Sequence, residues 1–81
     1  MLQPKILHIE ALADYTLQLF YETGERKLFD VNPYIYGDWF GMLRDRAYFR
    51  AVRIMAGGSG IEWPDGQDIA PHELYETSET L

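Results

Sequence analysis

Glu62, Asp65, Asp68, His72 and Glu73 put four carboxylates and an imidazole into one short stretch. Such a set suggests hard-cation ligation, or acid–base chemistry through a histidine and a carboxylate. The spacing argues against a cation. The Asp-x-Asp/Asn-x-Asp/Asn-Gly run and distal Glu of a calcium loop are missing. Each residue also has a backbone role: Asp65 and Gly66 suit a turn, Asp68 can accept from local N–H groups, and Glu73 suits the positive end of a helix. The structural reading is therefore preferred, and no metal or cofactor is expected.

His8 and His72 are the only histidines. His8 sits in a run that alternates Ile6, His8, Glu10 with Leu7, Ile9, which predicts a solvated or rim position. Acid–base catalysis needs a pocket and a positioned partner, and the sequence names neither. An enzyme with an acid/His site ranks last among the expectations. Ser59 lacks the flanking residues of a Gly-x-Ser-x-Gly nucleophile elbow. The Gly57–Gly60 run lacks the Lys-Ser/Thr of a phosphate loop, so it reads as a hairpin loop.

Arg44, Arg46, Arg50 and Arg53 form the only basic cluster. Arg46, Arg50 and Arg53 recur at helical spacing and would share one side of a helix that ran so far. They balance nearby acids or contact an acidic partner, RNA or DNA. Tyr34, Tyr36, Trp39 and Phe40 crowd a glycine-bounded turn. Most belong in the core, with a subset available as an interface anchor.

What must position these residues is small. The chain has 81 residues, no cysteine, 47% apolar and 15% aromatic residues, and a net charge of -6. This bounds it to one domain with a thin stability margin, without disulfides or thiolate sites. Self-association to cover leftover apolar surface is expected. An acidic field disfavours nucleic acid and anionic membranes and favours basic protein partners. Met1-Leu2-Gln3-Pro4-Lys5 lacks the pattern of a signal peptide, and no apolar run approaches membrane-span length, so cytoplasm is the default.

The period of two predicts strands at 6–12, 15–21 and 25–31, an antiparallel β-meander. A three-residue Glu22-Thr23-Gly24 loop with left-handed Gly24 would pair Leu17 with Phe29 and Tyr15 with Val31. It gathers the apolar residues on one face, which fixes the register. Asn32, Asp38 and Asp45 are candidate caps for a turn and two short central helices. Residues 53–56 and 61–63 read as a hairpin, followed by the Pro64-Asp65-Gly66 turn and a short helix from Pro71 to Glu76. The fold class is α+β: meander, short central helices, C-terminal β-hairpin and short helix. One domain is expected over 1–76, with 77–81 a frayed tail.

Phe20-Tyr21-Glu22-Thr23-Gly24-Glu25, Phe29-Asp30-Val31, Leu43, Asp45 and Phe49 carry a resemblance to a known family. The specific part is Trp63, Pro64, Gly66, Asp68, Ile69, Pro71, Leu74 and Tyr75. Together they resemble the small bacterial domain of unknown function 2442 family. The resemblance implies a compact α+β domain, in some members fused to a helix-turn-helix that this sequence does not include. It also implies a gene beside that of another small domain, an arrangement similar to toxin–antitoxin pairs. It supplies no catalytic residues.

The leading expectation is a non-enzymatic protein-interaction module, antitoxin-like in masking a basic partner. The alternative is a regulator-associated or nucleic-acid-associated domain working through Arg46, Arg50 and Arg53.

Overall fold

A computed structural model describes residues 3–81, so the first two residues of the expected domain lie outside the described residues. Strands β1 (Ile6–Leu12), β2 (Thr16–Tyr21) and β3 (Arg26–Asp30) form the expected antiparallel meander. Leu17 pairs with Phe29, and the Val31 N–H donates to the Tyr15 carbonyl, so the register is the one predicted from the apolar face. Gly24 supplies the left-handed backbone (φ +91°) of the three-residue turn. A bulge at Leu7 shifts the register between Ile6 and His8 on the edge strand β1, which helps to blunt an edge for pairing.

After the meander, helix α1 (Arg46–Phe49) lies between two short 3-10 turns and a second sheet. Asp45 caps α1 as expected, accepting from the Ala47 and Tyr48 N–H groups. The other two caps are corrected. Asn32 lies inside a 3-10 turn and donates its side-chain amide to the Asp14 carbonyl and the Asp30 carboxylate. Asp38 caps nothing: the next 3-10 turn, Phe40–Arg44, starts from Trp39 without a side-chain cap, and Gly41 weakens it as an α-helix.

The second sheet holds β4 (Arg53–Ile54), β5 (Ile61–Glu62) and β6 (Asp68–Ile69), all antiparallel. The expected hairpin is thus only part of a three-stranded sheet. Helix α2 (Pro71–Thr77) follows, one residue longer than expected, and Glu79–Thr80 form β7 beside β3. The predicted frayed tail is therefore corrected too: Thr80 pairs with Lys27, and the Leu81 N–H donates to the Arg26 carbonyl. A polar composition hid this strand, because ladder bonds are made by backbone and need no apolar side chains.

The core lies between the inner face of the first sheet and the second sheet with both helices. It includes Leu17, Leu19, Phe29, Val31, Leu43, Phe49, Ile61, Trp63 and Leu74. Strand alternation also turns Lys27 inward beside Phe29. Its ammonium donates to the Tyr75 carbonyl (2.6 Å) and lies 4.0 Å from the Tyr75 ring centroid, so burial of the charge is compensated.

Candidate functional site

The turn after β5 is built like the turn after β2. The Trp63 N–H donates to the Gln67 carbonyl (2.8 Å) and the Gly66 N–H to the Trp63 carbonyl (2.9 Å), with Gly66 at φ +91°. The Tyr21–Glu25 turn repeats both bonds and the left-handed glycine. Pro64 and Asp65 take the two central positions, where their residue types fit.

Inside this turn Trp63 is fully buried. Its indole N–H donates to the Phe49 carbonyl (2.9 Å), and its ring packs against Phe49. Gln67, which the sequence reading did not single out, is also fully buried. Its amide nitrogen donates to the Trp39 carbonyl (2.8 Å), and its amide oxygen faces the Tyr48 hydroxyl (2.8 Å). That hydroxyl also lies 2.8 Å from an Asp65 carboxylate oxygen and accepts from the Asp65 N–H. The signal for Gln67 was its place after Gly66, where a returning strand turns alternate side chains inward.

This framework holds an aromatic side chain in the open. Trp39 is 51% exposed, yet its indole N–H donates to the Asp65 carbonyl (3.2 Å), its carbonyl is held by Gln67, and its ring lies beside Gly66 and Phe40. Tyr36 (75% exposed) and Met42 flank it in the chain, as does exposed Asp38. An aromatic fixed before contact loses little freedom on binding.

The remaining signature residues divide by role. Leu74 is buried, and Tyr75 packs edge-on to Tyr21 and donates to Glu25. Pro71 opens α2. Asp68 is exposed on β6 and, against expectation, makes no side-chain hydrogen bond to the neighbouring backbone among the described residues. Glu73 accepts from the Tyr34 hydroxyl. His8 is exposed beside Glu10, and His72 is exposed on α2, so the two histidines and the acids form no common site. Among the described residues no group of three or more His, Cys, Asp or Glu could hold a metal ion.

The arginines do not form one helical face. Helix α1 ends at Phe49, Arg50 follows it in a turn, and Arg53 belongs to β4, where it pairs with Glu62 (3.2 Å). Chain direction is set there by the pairing of β4 with β5, which ends the helix. Arg46 and Arg50 instead line a cleft of about 150 Å³ against the β1–β2 turn. In that turn Asp14 (φ +62°) and Tyr15 (φ +59°) are both left-handed. Such a backbone costs on the order of 1–3 kcal/mol per residue. It is held by bonds to the Asp14 and Tyr15 carbonyls and from the Tyr15 hydroxyl to the Arg44 carbonyl (2.5 Å).

No helix among the described residues is long and apolar enough to cross a membrane. A family model described as protein of unknown function (DUF2442) matches residues 6–80. No curated protein and no solved structure matches the chain.

Proposed function

Because the chain belongs to the DUF2442 family, whose description names no activity, we propose a function from its own surface. It is a non-enzymatic interaction module in which a patch centred on Trp39, with exposed Tyr36 and Met42 near it in the chain, receives a basic segment of a protein partner. The observation that carries this reading is Trp39, half exposed yet fixed by Asp65 and Gln67. Tryptophan is enriched among interface hot spots, and its face attracts Lys and Arg. Asp38 and Asp65 border the patch, and the net charge of -6 steers a cationic partner toward it. The role is antitoxin-like: a cytoplasmic acidic protein masks a basic partner, with the product of a neighbouring gene as the first candidate.

Co-expression and pull-down with that product tests the proposal. A complex that Trp39→Ala weakens by about tenfold or more supports it. No complex, or a complex indifferent to both Trp39→Ala and Tyr36→Ala, overturns it. The regulator-associated or nucleic-acid-associated alternative has a narrower basis, since Arg53 is paired with Glu62. Steeply salt-dependent nucleic-acid binding, lost on joint Arg46→Glu and Arg50→Glu substitution, would favour that alternative.

A further inference from the structure

The cleft at the β1–β2 turn lies outside the aromatic patch and has its own chemistry. Arg46 and Arg50 stand four residues apart and line the same wall, so their guanidinium groups can converge on one ligand. In a chain with 13 acidic against 7 basic residues, neither is within 4.0 Å of a carboxylate among the described residues, and neither side chain donates a hydrogen bond. Arg46 lies over the Tyr15 ring, 5.9 Å from its centroid, a contact that uses the guanidinium face and not its N–H groups, and the neighbouring arginines are engaged. Arg44 donates to the Asn32 side chain and stacks over Tyr15, and Arg53 pairs with Glu62. The nearest acid in sequence, Asp45, spends its carboxylate on the first turn of α1.

The rest of the lining includes Ala11, Leu12, Ala13 and the edge of the buried Phe49, with Tyr15 held rigidly by its hydroxyl bond. Asp14 is the single acid on the wall, so the two arginines leave an excess of one positive charge. We propose that this cleft binds a monocarboxylate on a short apolar stem. The carboxylate would lie across the Arg46 and Arg50 forks and the stem against Ala11 and Leu12. Guanidinium forks match the planar carboxylate in two parallel hydrogen bonds. The single excess charge matches a monoanion better than a phosphate dianion.

Two-dimensional NMR titration of the full chain with butyrate, acetate and inorganic phosphate tests this. Saturable shifts at residues 11–15 and 46–50 are expected with butyrate, tighter than with acetate. Affinity should fall by about tenfold in Arg46→Gln and in Arg50→Gln, and stay unchanged in Arg53→Gln. Arg50→Lys, which keeps the charge without the fork, should fall between. Spectra that elsewhere overlay the parent confirm that each variant is folded. Absence of saturable shifts overturns the site, as does binding that survives both glutamine substitutions. Phosphate binding tighter than butyrate overturns the carboxylate assignment.

Discussion

Tyr21 and Tyr34 tie the fold to alkaline pH. Burial raises both phenols from 10.0 to about 12, and Tyr34 is raised further by its hydrogen bond to Glu73. The folded state thus holds protons there that the unfolded chain has lost. Stability is fully present below pH 10 and falls as pH rises through about 12. An absorbance titration should show these two tyrosines ionising late, together with loss of structure. Tyr34→Phe should reduce the fall in stability across that window, and an unchanged profile would contradict the assignment. Glu25 is shifted the other way: the Tyr75 hydroxyl, and after it Thr23, donate to its carboxylate and hold it below its ordinary range. At this scale the sequence told residue type better than partner. Trp63 and Leu74 declared packing by their size, whereas Gln67 showed only its place after the turn, because the groups that satisfy its buried amide, the Trp39 carbonyl and the Tyr48 hydroxyl, lie far off in the sequence.

Among the elements, α1 shows how much one cap can carry. Four residues are too few to be helical on their own, so Asp45 and the packing of Phe49 must hold them. Asp45→Ala should cost about 1 kcal/mol in denaturant unfolding. Because the same turn carries Arg46 and Arg50, the loss should also broaden their NMR signals, while Asp38→Ala, at a residue that caps nothing, should do neither. The meander was legible because one register alone gathers Leu17, Leu19, Phe29 and Val31 on a single face. The same glycine rule that placed Gly24 also fits Gly66, and applied there it points to β6. β7 was beyond reach, since Glu79 and Thr80 carry no apolar pattern. The arginine face failed for a tertiary reason: helical spacing continues in the sequence from Arg46 to Arg53, but strand pairing with Glu62 ends the helix between them.

For the whole molecule the dominant fact is uncompensated charge. Among the described residues Arg53–Glu62 is the only ion pair made without a histidine, against a net charge of -6. The longest dimension is 34 Å. The screening length is about 30 Å at 0.01 M salt and about 8 Å at 0.15 M. At low salt the carboxylates therefore repel across the entire body, and at the higher salt only near neighbours do. Thermal unfolding by circular dichroism should shift upward by about 2–5 °C between these conditions, and a shift downward would show that attractive pairs dominate instead.

The sheet order β1-β2-β3-β7 has a mechanical consequence. Ile6 pairs beside Tyr21, and Leu81 bonds to Arg26, so both ends of the described chain emerge at the same end of the sheet, next to the Glu22–Gly24 turn. They leave from opposite edges, three strand spacings or about 14 Å apart. A force that drew the ends apart would act across the strands rather than along them. The ladder bonds would then open one after another from each edge, like a zipper, instead of resisting together in shear. A body built in this way yields to tension at its margins first, and β7, with two paired residues, is the first margin to go.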